Sequence, residues 1–378
     1  MANLNHDIDN LLGSYGVNDE IDALLDYHGV PLCSIVVVNK EGIIFKSAFG
    51  ESSSAQTQFH LFSGTKLYTA TAVMRLVEDE RISLDDMASK YVPGFDLDGI
   101  TIEHLLGHCS GLVDTPIKAF LSGNFRDTYH PTSWDAFKKY IIKINRKPGE
   151  LSSYANVNYV ILGQVIEHVT GGSYEDYVHA HILKPLGSKA CFSFREADNL
   201  AKGWIGYWNS LMTKLVLESD QYDSMFKDSK KLQKGKRGAG LYSLADFDVD
   251  SPCIGGLVGT AEDFAPLLVE VLRHAAGHDS TYKPTCISSR GIKMMTDHHF
   301  NGQIGVHSKV GAGLGWKIGD NFINHEGGGP GFTSETRCYL EDGIGIIVMM
   351  NKWSISHTEC TICHELCELI RRSVKAKT

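Results

Sequence analysis

The sequence predicts an α+β fold: an antiparallel sheet built from both termini and covered by terminal helices, with an inserted all-helical domain. Three observations point there. Strand-like runs cluster near the two ends, at Cys33 to Val38 and Ile43 to about Phe49, and again after Gly313. Between about Asp85 and Lys293 the apolar residues recur mostly every three or four positions, the period of a helix with one buried face. Helical patterns also flank the strand clusters, from Asp7 to Tyr27 and from His357 to Val374. The economical arrangement pairs both clusters in one sheet and leaves the middle as an insertion. The expected division is residues 1–84 plus 294–378 for the sheet domain and 85–293 for the insertion. A ligand site is expected in the cleft between them.

In chain order, Ile8, Leu11, Leu12, Ile21, Leu24 and Leu25 set a helical pattern interrupted near Gly13 to Gly16. The first two strands are joined by Asn39-Lys40-Glu41-Gly42, whose Asn and Gly mark a hairpin. Then comes Phe62-Ser63-Gly64-Thr65-Lys66, the helical run Leu67 to Val77, and a further helix beginning near Ser83. Thr101 is placed to cap a helix over Ile102 to Leu106. Trp134 to Ile144 and Tyr159 to Val169 are further helices, the latter closed by Thr170-Gly171-Gly172. Lys202 to Pro252 is weakly patterned and reads as loop, and Asp263 to His274 is helical again. Strands are then expected at Leu314 to Ile318, Asn321 to His325, Phe332 to Leu340 and Ile344 to Asn351. Glu341-Asp342-Gly343 joins the last two.

A formal charge of −9 argues against a general nucleic-acid or anionic-membrane binder. The basic cluster Lys227, Lys230, Lys231, Lys234, Lys236 and Arg237 is broken by Asp228 and Gly235 and reads as a solvated loop. Nine cysteines, an odd number without small-scaffold spacing, favour a reducing compartment. The start, Met1 to Asp7, has neither the basic nor the apolar region of a secretory signal. The apolar runs Ile35 to Val38 and Ile344 to Met350 are too short to span a bilayer. A cytoplasmic protein without nucleic-acid or membrane partners is expected.

Three short motifs bear chemistry. Ser63 and Lys66 lie three apart where a helix begins, so hydroxyl and ammonium share one face. A serine needs a nearby base to become nucleophilic, and a desolvated lysine deprotonates readily. The helix N-terminus favours negative charge developing beside Ser63. Lys147-Pro148-Gly149 then turns into a loop that can present Tyr154 and Asn156 to a cleft. A phenol near a cationic lysine has its ionised form favoured and can relay a proton. The Asn156 amide can hold both Lys66 and a substrate carbonyl. Last, His325-Glu326-Gly327-Gly328-Gly329-Pro330-Gly331 sits between two strands, and so many glycines there imply close approach by a ligand or another backbone.

In this order, Ser63-x-x-Lys66, Tyr154-x-Asn156 and His325-x-Gly327 resemble the three motifs of the serine β-lactamase and penicillin-binding-protein superfamily. The match is closest to the branch of class C β-lactamases, D-stereospecific peptidases and β-lactamase-like esterases. His104-Leu105-Leu106-Gly107-His108-Cys109-Ser110-Gly111-Leu112, Lys184-Pro185-Leu186-Gly187 and Gly313-Leu314-Gly315-Trp316 look like recurring segments of that branch. The resemblance implies the β-lactamase/transpeptidase-like fold and an acyl-enzyme mechanism without a cofactor. It makes Ser63 the nucleophile, gives Lys66 and Tyr154 the base and acid work, and lets Asn156 position Lys66 and substrate. The backbone N–H groups of Ser63 and Gly328 would form the oxyanion hole, and Glu326 and Gly327 would line the substrate site. His325 stands where Lys occupies the Lys-Thr-Gly form, which ranks β-lactams below small esters and D-amino-acid peptides or amides. A carboxylate at Glu326, where Thr would help bind a substrate carboxylate, is expected to repel one. Partners are thus a small ester, amide or short peptide, and a homo-oligomer is compatible with the sequence. The alternative is a catalytically silent binding or scaffold protein on the same fold.

Metal readings are disfavoured. In Glu103-His104-Leu105-Leu106-Gly107-His108 the Glu precedes the first His, against the metalloprotease order. Cys360, Cys363 and Cys367, beside His357 and His364, have the spacing of a buried helical stripe. Asp246, Asp248 and Asp250 lack the Gly and Glu that complete a calcium loop. No Gly-x-Ser-x-Gly elbow or phosphate-binding Gly-x-x-x-x-Gly-Lys loop occurs.

Overall fold

The computed structural model describes residues 17–50, 54–114, 134–138, 143–206, 231–232, 240–277, 285–304, 311–354 and 358–375. Its centre is an antiparallel sheet of strands β1 (Leu32–Asn39), β2 (Gly42–Gly50), β3 (Gly311–Ala312), β4 (Lys317–Ile318), β5 (Ile323–Gly329), β6 (Phe332–Tyr339) and β7 (Ile344–Met350). The spatial order is β3-β4-β5-β6-β7-β1-β2, so the first strand pairs with the last and both ends of the chain close one sheet.

Side chains alternate across a strand, and this sheet is buried on both faces. On β1 the residues Cys33, Ile35 and Val37, with Ile346, Val348 and Met350 of β7, join a core with two terminal helices, α1 (Val17–His28) and α5 (Thr358–Lys375). Those helices contribute Val17, Ile21 and Leu25, and Ile362, Cys363, Leu366, Cys367 and Ile370. Cys360, Cys363 and Cys367 are accordingly a buried stripe, each at most 3% exposed. His357 lies outside the described residues.

On the opposite face, Val36 and Val38 of β1 with Ile347 and Met349 of β7 belong to the larger core. That core also takes in α2 (Thr65–Glu78), α3 (Val157–Thr170) and α4 (Ala261–Ala275). Thr260 caps α4 in a reciprocal box with Asp263. Although α4 falls within 85–293, it packs on β1 and β7 rather than standing apart with the insertion. Its apolar stripe, including Leu268 and Leu272, needs a wide flat partner, and the sheet supplies it.

Several local expectations hold. The Asn39–Gly42 hairpin forms, with the Asn39 side chain accepting from the Glu41 and Gly42 N–H groups. Thr101 caps Ile102–Leu106 through a box with His104, and Gly171 closes α3 in the left-handed region at φ 74°. Others are corrected. No helix starts at Ser83: Asp86 holds the Ser83 N–H and the Tyr91 hydroxyl in a turn, and only a 3₁₀ turn follows at Ala88–Lys90. Trp134–Phe137 is helical, whereas 139–142 lie outside the described residues. The 202–252 stretch is not all loop, because Trp204–Gly206 pairs with Lys352–Trp353 and with Leu241–Ser243. Lys231–Leu232 completes that small sheet, and the rest of the basic cluster lies outside the described residues. The largest difference is β5. It runs on through Gly327, Gly328 and Gly329, which pair in register with Ser334, Thr333 and Phe332. The glycines are strand, not hairpin loop.

Among the described residues no helix is long and apolar enough to cross a membrane.

Candidate active site

Ser63 lies in the 3₁₀ turn Phe62–Gly64 that runs directly into α2. Phe62, just before it, holds φ at 47°, a left-handed conformation costly for a bulky residue. Packing enforces it. The Phe62 ring lies against His60 and Phe247, with centroids 5.6 and 6.1 Å away. Gly329 leaves the room that ring occupies. The strained turn holds Ser63 partly exposed at the start of α2.

Lys66, one turn on, is fully buried. Its Nζ lies 3.2 Å from Ser63 Oγ, 2.9 Å from Asn156 Oδ1 and 2.8 Å from the Ile254 carbonyl. Burial pushes its pKa down to about 7, only partly offset by the Asp114 carboxylate. The last two contacts can only accept. A neutral amine therefore directs its two hydrogens to Asn156 and Ile254 and keeps its lone pair for the Ser63 hydroxyl.

Tyr154 donates its hydroxyl to Ser63 Oγ at 2.9 Å. Its loop is clamped rather than mobile. Ser152 N–H bonds Asn301 O, Ser153 N–H bonds His108 O, and Ala155 N–H bonds His108 Nδ1. His108 stacks on the Tyr154 ring with centroids 4.5 Å apart. One expectation is corrected here. Burial raises the Tyr154 pKa far more than the Ser63 hydrogen bond lowers it, so the phenol stays protonated and serves as donor.

Asn156 precedes α3 and faces two ways. Its Oδ1 holds Lys66, while its Nδ2 donates to Asp114 Oδ2 at 3.0 Å. Asp114 also accepts from the Val157 N–H at 3.2 Å. On β5, His325 is buried with its ring centroid 6.1 Å from that of Tyr154. His325 Nδ1 donates to the Glu326 carbonyl at 2.8 Å, and burial holds the imidazole neutral. Gly327 fits where a side chain would strike the Leu61 carbonyl and Ser334 Oγ. Only Asn324 and Ile323 of β5 pair with β4, so the β4-facing edge from His325 to Gly329 forms no ladder with it.

Glu326 does not present the free carboxylate that the sequence suggests. It forms an ion pair with Lys317 of β4, and both side chains are under 10% exposed. Lys317 Nζ lies 5.2 Å from the Tyr154 ring centroid, so the pair belongs to the site.

Of the eight residues expected from the sequence, the fold gathers Ser63, Lys66, Tyr154, Asn156, His325 and Glu326, with Gly327 and Gly328 following on the same strand, and it adds Asp114, Lys317 and His108. Asp114 and Lys317 stand just beyond recognised segments, after Gly111-Leu112 and after Trp316. Neither has a local pattern that marks it. His108, which the sequence reads as structural rather than metal-ligating, takes the Ala155 N–H on its Nδ1. The aspartate trio is likewise engaged elsewhere, with Asp248 bound to Arg195 and Ser193, and Asp246 facing Lys202.

The family model for Beta-lactamase matches residues 17–360. The chain belongs to that family. Among solved structures, the octameric penicillin-binding protein homologue from Pyrococcus abyssi superposes with a TM-score of 0.70 and 25% identity, over 94% of this chain and 76% of that one. The D-amino acid amidase from Ochrobactrum anthropi bound to D-phenylalanine reaches a TM-score of 0.71 at 21% identity, over 95% and 98%. Protein flp of Staphylococcus aureus is 30% identical over 210 residues, 50% of this chain and 41% of its own length. A putative D-alanyl-D-alanine carboxypeptidase of Salmonella paratyphi B is 29% identical over 199 residues, 46% of this chain and 44% of its own. The matched segments thus span less than half the length of these curated relatives.

Proposed function

We propose that this beta-lactamase-family chain is a serine hydrolase that works through an acyl-enzyme on small esters or on amides of the D-amino-acid type. The observation behind this reading is that Ser63 Oγ meets both Lys66 Nζ and the Tyr154 hydroxyl within hydrogen-bond distance. In the proposed reaction neutral Lys66 takes the Ser63 proton as Oγ attacks the substrate carbonyl. The backbone N–H groups of Ser63 and Gly328 hold the oxyanion, a service that in other hydrolases contributes about 3 kcal/mol per donor. Tyr154 passes a proton to the leaving oxygen or nitrogen and is reprotonated from Lys66. Water then enters by the same relay, releases the acid and restores Ser63. The working cleft would lie between the sheet portion (1–84 plus 294–378) and the insertion (85–293), with α4 counted with the sheet. Ranking amides of D-amino acids beside esters leans on the amidase and carboxypeptidase names among the relatives. Assembly is proposed on the likeness to the octameric Pyrococcus homologue, and light scattering would check it.

The test is release of p-nitrophenol from a short-chain ester and of ammonia from D-alanine amide, each compared with Ser63→Ala. Loss of at least a thousandfold in the variant is expected. Ester or amide turnover that survives Ser63→Ala overturns the proposal, and stable labelling of Ser63 without turnover supports the silent binding protein instead.

A further inference from the structure

We propose that Glu326 determines specificity: by engaging Lys317 in a buried ion pair, it excludes acyl groups that bear a carboxylate and directs the cleft to uncharged esters and amides. This deepens the acyl-transfer reading and rests on it. Lys317 Nζ is 5.2 Å from the centroid of the Tyr154 ring, whose hydroxyl is bonded to Ser63, so its charge lies within reach of a bound acyl group. An ammonium this deeply buried would attract a substrate carboxylate far more strongly than one in water. Glu326 already makes that contact, with side-chain exposures of 6% for Lys317 and 9% for Glu326. Burial alone favours the neutral acid, but the charge and hydrogen bond of Lys317 outweigh it and hold the Glu326 carboxyl below its usual range. An incoming carboxylate would have to displace an ionised one or crowd beside it.

The neighbouring groups leave the pair balanced. Behind Glu326, on β6, Glu335 lies directly across the ladder but is matched by Arg337, whose Nε is 2.9 Å from its carboxylate. Lys66 faces Asp114 through Asn156. His325 donates from Nδ1, so its buried Nε2 is a lone pair without a hydrogen-bond partner among the described residues. A lone pair there welcomes an N–H or O–H and opposes a carboxylate.

Two matched pairs of probes test this. p-Nitrophenyl butyrate and mono-p-nitrophenyl succinate differ by a carboxylate in place of a terminal methyl. Phenylboronic acid and its meta-carboxy derivative, which bond to a nucleophilic serine without turnover, differ by a carboxylate in place of a ring hydrogen. The wild-type protein should favour the uncharged member of each pair. Glu326→Gln should shift both the kcat/KM ratio and the Kd ratio toward the anionic member by at least tenfold. The double variant Lys317→Met, Glu326→Gln removes both charges and should keep the wild-type preference within twofold; it also serves if the single variant does not fold. A Glu326→Gln ratio within twofold of wild type, or a gain that persists without Lys317, overturns the inference. If neither ester is turned over, the hydrolase reading fails while the boronate ratios still decide the role of Glu326.

Discussion

Asp114 decides which end of the Asn156 amide faces Lys66. A carboxylate can only accept, so it draws Nδ2 and leaves Oδ1 for the amine. That orientation in turn consumes a lysine hydrogen and leaves the lone pair toward Ser63. In the proposed mechanism Lys66 acts as a neutral amine, so kcat/KM should rise with pH through about 7. Asp114 raises the Lys66 pKa against the larger lowering effect of burial. Asp114→Asn should therefore move the rising limb to lower pH, and it should also lower kcat by about a hundredfold, the scale of a misplaced catalytic group. A pH–rate profile separates the two effects. A lower rate with an unmoved limb would mean that Asp114 only supports the loop.

At the level of elements, β5 and the turn ahead of α2 form one unit. Ser334 Oγ donates to the Leu61 carbonyl at 2.7 Å, and Gly327 leaves that contact open. Gly327→Ala would push a methyl group into the Leu61 carbonyl, which anchors the strained Phe62–Ser63 turn. The expected cost is about 2–3 kcal/mol of stability, as for overpacking elsewhere. A loss of ester turnover larger than the loss of folded protein should accompany it, measured by thermal unfolding and active-site titration. The same unit explains why β5 is glycine-rich. Its backbone must lie close to another chain segment on one side, while from His325 to Gly329 it makes no ladder with β4.

Across the whole molecule, the polar interior sets an acid limit. His60 has neither ring nitrogen hydrogen-bonded among the described residues and stacks on Phe247 at 5.0 Å, and burial lowers its pKa from 6.5 to about 3. His108 and His325 are likewise held well below 6.5 by burial. For each, the unfolded chain binds a proton that the folded chain refuses. Stability is therefore fully present above pH 6.5 and declines as pH falls toward the folded pKa, by about 1.4 kcal/mol per pH unit per histidine. His60→Phe removes one such group inside an aromatic cluster. Chemical denaturation at a series of pH values should show its slope between pH 6 and 4 reduced by one proton; an unchanged slope would mean that His60 is protonated in the folded state.

Periodicity and local chemistry determined much of this protein. The short apolar run Cys33–Val38, the Asn39–Gly42 turn, the Thr101 cap and the three spaced motifs are local patterns, each readable because neighbours in sequence are neighbours in space. The Ser63–Lys66 pair is of this kind, one helical turn apart. Tertiary structure alone decided what distant segments do to one another. It placed α4 on the sheet, carried β5 through its glycines, joined Trp204–Gly206 to the strand after β7, and brought Asp114 and Lys317 to the site. It also reversed one charge state inferred from sequence, keeping Tyr154 a protonated donor, and it paired the Glu326 carboxylate with Lys317. Charge states follow from burial and from partners across the fold, and neither quantity is written in the spacing of residues along the chain.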